Sequence, residues 1–351
     1  MKSEPYLSVV VATRDDHHGG DPQARLRAAL QVYKRQAEKF RFPLEYIIVD
    51  WNSPVKSAGV FAQVKTWDLN SEFLKIRVIE VSPAAHKKID EAKIPFYQMI
   101  AKNVGIRRAK GRFVLASNID IFLDEELFKF LTQKALKVRR MYRSDRIDLD
   151  IKIITQQPKK EPFKIPNRLK TRKHVRCRSF AEKDLKIFTH AGNFQYPEFD
   201  SRIPVIKIWK EKIRLWKKRL GILGSPGFHL HTNGCGDFTL LSRSAWHELR
   251  GYPEFRIFSF HIDSVFCHQA HESGYFELCL PPSLVHYHID HSAGWTPETN
   301  DQLLQRLRTQ KIPFIESQMD QLIEGCRRAQ KPLFNAEDWG LFGEVFPERH
   351  I

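Results

Sequence analysis

The sequence predicts an α/β fold, a parallel sheet with helices packed on it, from three observations. Short, mostly apolar, β-branched runs recur at Leu7–Thr13, Leu44–Asp50 and Leu74–Val81, the pattern of strands buried on both faces. Stretches with helical spacing separate them. At 351 residues, 42% hydrophobic and 12% aromatic, the chain can bury a large core, as two domains or one with insertions.

Leu7–Thr13 is the first strand. Asp21 and Pro22 then supply an N-cap with proline at the first helical position, and Leu26, Leu30, Tyr33, Ala37 and Phe40 continue at helical spacing. Leu44–Asp50 and Leu74–Val81 are the second and third strands. A helix through Phe96, Met99, Ile100, Val104 and Ala109 stops at Gly111, and Arg112–Asp120 is a fourth strand ending in a polar turn. Strands alternating with helices imply right-handed βαβ units whose ligand lies at the carboxyl ends of the strands.

From about 130 to 225 the alternation fades, with Pro158, Pro162 and Pro166 set among Lys and Arg. Within it, Ile206, Trp209, Ile213, Trp216 and Leu220 outline a basic amphipathic helix over 203–220. Residues 226–300 are rich in His, Gly and aromatics, and nine of the 15 histidines fall between 229 and 291. The tail reads as helical on Leu303, Leu304 and Leu307, then on Met319, Leu322 and Ile323. The expected organisation is therefore 1–125 and 226–300 as two halves of one α/β unit, a basic insertion at 126–225 and a helical tail at 301–351.

The net charge of +16 is local. Residues 151–176 hold nine Lys/Arg and one acid (+8), and residues 201–222 hold eight and one (+7), so the remainder is nearly neutral. No helix-turn-helix, RNA-recognition or zinc-finger spacing accompanies these stretches, so nucleic acid is not the expected partner, and a polyanion- or nucleic-acid-binding protein acting through them stands as a rival reading. The 203–220 helix suits an anionic membrane surface; equally, its apolar stripe would pack on the protein with the charges solvated. No apolar run approaches the roughly 18–20 residues of a membrane span. The first apolar stretch ends at Arg14, too short for a signal-peptide core, which sets a cytosolic expectation. Five scattered cysteines without a CxxC read as reduced thiols.

Four segments in order resemble the nucleotide-sugar glycosyltransferases of the A-type fold, nearest to the family 2-like group. They are Val9–Asp15, Tyr46–Ser53, Lys102–Asp120 and the block Cys235–Trp295. The third is the most specific: a helix reading N-x-G-x-x-x-A-x-G, then a strand ending in an Asp-x-Asp-like turn. The match spans about 1–125 and 230–295. It implies a Rossmann-like, mixed but mostly parallel sheet and transfer of a sugar from a nucleotide-sugar donor to a hydroxyl of a glycan or lipid-linked acceptor, with inversion, in polysaccharide biosynthesis. A nucleotidyltransferase is disfavoured because no Gly-rich phosphate loop follows strand one.

A leaving nucleoside diphosphate needs its charge neutralised, which a divalent ion held by carboxylate and imidazole can do. Asp120 matches the family's metal-binding carboxylate, with Mn2+ or Mg2+ as the implied cofactor. Asn118 departs from the pattern, standing where many relatives carry the first Asp; this also motivates a catalytically silent relative as a rival reading. Val285–His291 alternates like a strand, so His286 and His288 share a face. The resemblance puts a ligating His here, with His288 first and His286 or His291 as substitutes. The acceptor hydroxyl must lose a proton, and a carboxylate is the usual base. Asp263 stands at the family's acidic motif, with His261 as fallback; an Asp before Ser-Val-Phe-Cys also suits an N-cap. The resemblance assigns Thr13, Arg14, Asp15, Asp50 and Asn52 to the nucleoside, and Lys102 and Asn103 to the diphosphate, Lys102 being alternatively solvated. Asn118 can bond the ribose, and Gly236 and Asp237 line the sugar in a Gly234–Phe238 turn whose glycines permit close approach.

Overall fold

The computed structural model describes residues 4–16, 20–90, 94–149, 213, 216, 230, 232, 234–281, 283–289, 291, 300–329 and 331–351. It is a mixed α/β protein. The strands are β1 Leu7–Thr13, β2 Leu44–Trp51, β3 Leu74–Val81, β4 Phe113–Ala116, β5 Ile121–Leu123, β6 Arg140–Arg143, β7 Asp145–Leu149, β8 Thr239–Ser242, β9 Phe276–Cys279, β10 Val285–Ile289 and β11 Glu348–His350. The helices are α1 Pro22–Lys39, α2 Val60–Val64, α3 Pro83–Lys87, α4 Gln98–Arg108, α5 Glu125–Thr132, α6 Arg243–Leu249, α7 Ile262–Glu272, α8 Asn300–Thr309 and α9 Met319–Arg328.

Eight strands form the large sheet in the order β11-β3-β2-β1-β4-β8-β6-β9. Its centre, β3-β2-β1-β4, is parallel, as the alternating sequence pattern requires. β8 runs antiparallel between β4 and β6, and β11 antiparallel on the β3 edge. Thus 140–143, from the stretch expected as insertion, and the C-terminal tail both supply strands to this sheet. A second sheet, β5-β10-β7, pairs β10 antiparallel to β5 and parallel to β7.

Alternation along the central strands sends side chains to two separate cores. Val9, Val11, Tyr46 and Ile48 pack with Leu26, Leu30 and Tyr33 of α1 and Phe128 of α5. Val10, Ala12, Ile47 and Val49 pack with Ile100 and Val104 of α4, Trp246 of α6 and Val265 of α7. Gly105 of α4 is required by this contact, because a Cβ there would lie 2.5 Å from Val10. Trp246 is fully buried and stacks on Phe266, with ring centroids 4.6 Å apart.

Local chemistry sets the ends of the elements. Asp21 caps α1 by accepting the Ala24 N–H, and Pro22 opens the helix. The fourth strand is shorter than Arg112–Asp120: it stops at Ala116, after which the Ser117 hydroxyl and the Asn118 amide donate to the Asp237 carbonyl and carboxylate of the 234–238 turn. The 203–220 helix lies outside the described residues apart from Ile213 and Trp216, both helical, with Trp216 exposed. Trp295 also lies outside them. No helix among the described residues is long and apolar enough to cross a membrane.

Candidate active site

The turn after β4 carries Asp120 to the junction of the two sheets. Its backbone is held there, since Ile289 N–H donates to the Asp120 carbonyl at 3.0 Å. Register places His288 of β10 opposite Ile121 on one side and Asp148 of β7 on the other. Asp120, His288 and His291 thereby offer three ligand atoms within 4.8 Å of one another. Asp120 Oδ2 accepts from Arg25 Nη1 at 2.6 Å and from His291 Nε2 at 3.0 Å. Its Oδ1 is buried with no hydrogen-bond partner among the described residues. Burial opposes ionisation of Asp120, but the His291 hydrogen bond and the charges of His288 and Arg25 outweigh it and hold the carboxyl well below the usual range.

His288 Nδ1 pairs with Asp148 Oδ1 at 2.8 Å. A ligating imidazole is commonly oriented this way, with one nitrogen on a carboxylate and the other left for the ion. Burial pulls the His288 pKa down, and Asp148, Asp120 and Asp237 together raise it above the ordinary value. The residues therefore fit a divalent cation: an ionised carboxylate with an orphaned buried oxygen, an oriented imidazole and a second imidazole.

His286 does share the face of His288, but it is not one of the three. It is 1% exposed, stacks on Phe238 at 5.5 Å, and has neither ring nitrogen hydrogen-bonded among the described residues. Burial drives its pKa down to about 3, so it is a neutral core residue. His291, just past the end of β10, meets Asp120 Oδ2 instead.

Asn118 has a specific partner. Its Nδ2 donates to Asp237 Oδ1 at 2.6 Å, while its Oδ1 accepts from Gln98 Nε2 at 2.9 Å. Asp237 Oδ2 accepts from Arg146 Nη1 at 2.6 Å. Arg146 Nε also lies 3.0 Å from Asp148, so one guanidinium joins the Asp237 turn to the carboxylate behind His288. Asp237 is buried, which disfavours its charge, yet Arg146 and the nearby histidines lower its pKa overall.

Gly236 lies close under the α7 start: a Cβ there would meet Asp263 Oδ2 at 2.9 Å. Asp263 sits half-buried in the first turn of α7, with Oδ1 accepting Ser264 N–H at 2.9 Å. It is not the N-cap. That position belongs to His261, which is exposed and left-handed at φ 64°. Lys102 is not solvated either: it is 0% exposed beneath the turn and donates to the Gly236 carbonyl at 2.7 Å. Burial lowers its pKa to about 8, against the pull of Asp237, Asp263 and Asp120. Asn103 faces away into a packing role, its amide donating to Tyr252 O and Glu254 and accepting Tyr252 N–H.

At the β1 and β2 ends, Arg14 and Asn52 both donate to the Pro95 carbonyl, at 2.9 and 2.8 Å, and so anchor the approach to α4. Asn52 takes a left-handed φ of 50°, which Asn tolerates better than most residues. Asp15 accepts from Gln23, Gln63 and Gly59, and Asp50 from Ser53 and Val60 N–H. Burial raises the Asp50 pKa despite those donors. Thr13 is buried. A cavity of about 440 Å³ opens beside Asp50, walled by Gly59, Phe61, Glu80, Phe346 and Arg349; Asp120 does not line it.

Arg25, Arg143, Arg146 and Asp148 were not anticipated. Arg25 had a signal, an arginine at a stripe position of α1 between Pro22 and Ala29, both buried. Arg143, 1% exposed, clamps the turn by donating to Cys235 O, Phe238 O and Thr239 Oγ1. Arg143, Arg146 and Asp148 lie in a stretch, 134–150, where Lys and Arg alternate with Asp and nothing in the pattern sets them apart.

No protein-family model and no curated protein matches the chain. Among solved structures it is similar to the mannosyltransferase PcManGT from Pyrobaculum calidifontis in complex with GDP-Man and Mn2+, at 13% identity, covering 97% of this chain and 73% of that one with a TM-score of 0.43. It is also similar to S. aureus TarS 1-349 in complex with UDP-GlcNAc, at 12% identity, covering 91% and 71% with a TM-score of 0.44. At such scores the likenesses carry no weight for function, which rests on the side chains.

Proposed function

We propose that this chain is an inverting glycosyltransferase that moves a sugar from a nucleotide-sugar donor to an acceptor hydroxyl with the help of a divalent cation. The observation that carries the reading is the convergence of Asp120, His288 and His291 at the carboxyl end of the parallel strands, next to the turn packed against Asp263. Asp120, His288 and His291 would hold the cation, and two imidazoles among three ligands favour Mn2+ over Mg2+. When bound, it supplies Lewis-acid charge for the departing diphosphate.

The chain's own residues do the rest. Asp148 fixes the His288 ring. Asn118 and Arg146 hold Asp237, whose carboxylate retains lone pairs for sugar hydroxyls. Gly236 leaves room for the sugar, and the Lys102 ammonium supports the turn from below. As the acceptor oxygen bonds to the anomeric carbon, the bond to the diphosphate breaks and Asp263 takes the hydroxyl proton. The nucleoside is assigned to the strand-end region of Thr13, Asp15 and Asp50, with the cavity beside Asp50 sized for it. The basic stretches at 151–176 and 201–222 are assigned to an anionic surface on the cytosolic side of a membrane, where a lipid-linked or glycan acceptor is presented.

A thermal-shift panel of UDP-, GDP-, dTDP- and CMP-sugars, with and without Mn2+, tests this. A donor at a hundredfold its dissociation constant stabilises by about 2.7 kcal/mol. The expected result is a Mn2+-dependent shift for one nucleotide class that Asp120→Ala abolishes. Absence of any shift across the panel refutes the reading.

A further inference from the structure

The cation reading leaves one buried charge unexplained. Arg25 is 1% exposed on the apolar stripe of α1, where an arginine is costly unless paired. The helix does not need it for capping, since Asp21 already does that. Its Nη1 lies 2.6 Å from Asp120 Oδ2, the oxygen that His291 also meets, while Oδ1 is left without a hydrogen bond. The guanidinium thus divides the carboxylate into an occupied oxygen and an available one.

Resting on the glycosyltransferase reading, we propose that Arg25 is a positioning residue that fixes Asp120 as a one-oxygen ligand and cancels its charge, so that the centre retains a divalent cation only together with a diphosphate. The charge count carries this. Ligating imidazoles are neutral, Asp148 behind His288 is paired by Arg146, and the remaining carboxylate and guanidinium, Asp120 and Arg25, leave the ligand group with no net charge. Sites that hold hard cations by themselves gather several carboxylates. Here the balance has to come from the anion that shares the ion, and a diphosphate brings both negative charge and further oxygen ligands.

Equilibrium dialysis of the full chain against Mn2+, with and without inorganic pyrophosphate, reads this without any turnover. Wild type is expected to hold Mn2+ weakly alone and on the order of tenfold tighter or more with pyrophosphate. Arg25→Gln is expected to hold the bare ion about tenfold tighter than wild type, whereas Arg25→Lys, which keeps the charge, stays at the wild-type level. A purely structural arginine predicts the reverse, since its loss would only loosen the ligands. If Arg25→Gln binds bare Mn2+ no tighter while pyrophosphate still helps the wild type, the role of Arg25 is overturned and the ligand set stands. Should Arg25→Gln fold poorly, the wild type decides: equal retention with and without pyrophosphate overturns the proposal. If wild type retains no Mn2+ under either condition, or Asp120→Ala and His288→Ala retain as much as wild type, the ligand set itself falls.

Discussion

Asn118→Asp is the sharpest perturbation of this site, because it restores the Asp-x-Asp pattern and yet should harm the protein. Asn118 Nδ2 donates to Asp237 Oδ1 at 2.6 Å, and Asp237 is 5% exposed. An aspartate replaces that donor with an oxygen and faces one carboxylate with another. Loss of a hydrogen bond to a charged group costs about 1.5–3 kcal/mol. Two carboxylates at this separation do not both ionise, so one retains a proton at neutral pH. That proton re-makes a hydrogen bond to the facing carboxylate, so the cost at pH 7 is that of holding a carboxyl protonated above its ordinary pKa, about 2–4 kcal/mol. The shared proton raises a folded-state carboxyl pKa above its unfolded value near 4. The variant therefore recovers stability on acidification, at up to about 1.4 kcal/mol per pH unit between pH 7 and 4. Urea denaturation of both proteins at pH 7 and pH 5 measures the gap. Equal stability at pH 7, or a gap that does not narrow at pH 5, would show that Asn118 is not the donor to Asp237.

Asp263→Asn is expected to keep the donor thermal shift and lose transfer by about 10²–10⁴-fold, the usual contribution of a general base; near-normal turnover removes Asp263 from the reaction. Lys102→Met tests the buried ammonium. The folded value near 8 lies below the unfolded one near 10.4, so wild type releases a proton on folding in that window and its stability relative to Lys102→Met rises from pH 8 to pH 10, by up to about 3 kcal/mol. A difference between the two that stays constant across that range in thermal melts contradicts the shift.

Much of the frame was legible because local chemistry determines it. The Asp21-Pro22 cap and the β-branched strands are demanded by neighbours in sequence, whereas the packing of Gly105 against Val10 shows only in the fold. The register of β10 was half legible: alternation puts His286 and His288 on one face, but not which of them meets a carboxylate. That choice depends on β5 and β7, which bring Asp120 and Asp148 to His288 and leave His286 on Phe238.

By itself the sequence determined the parallel α/β core and the strand-end location of the polar residues, while Asp120, Asp237 and Asp263 became candidates through the motif resemblance. Apolar periodicity and turn residues act over a few positions, and those are properties a linear chain displays. Only the tertiary structure decided the partners. Arg25 reaches Asp120 across 95 positions, Arg146 reaches Asp237 across 91, and Asn118 reaches Asp237 across 119. Charges so far apart in the chain choose each other by where the sheets place them. That is why His291 rather than His286 meets Asp120, why Lys102 lies under the turn rather than in solvent, and why Asn118 is tied to Asp237.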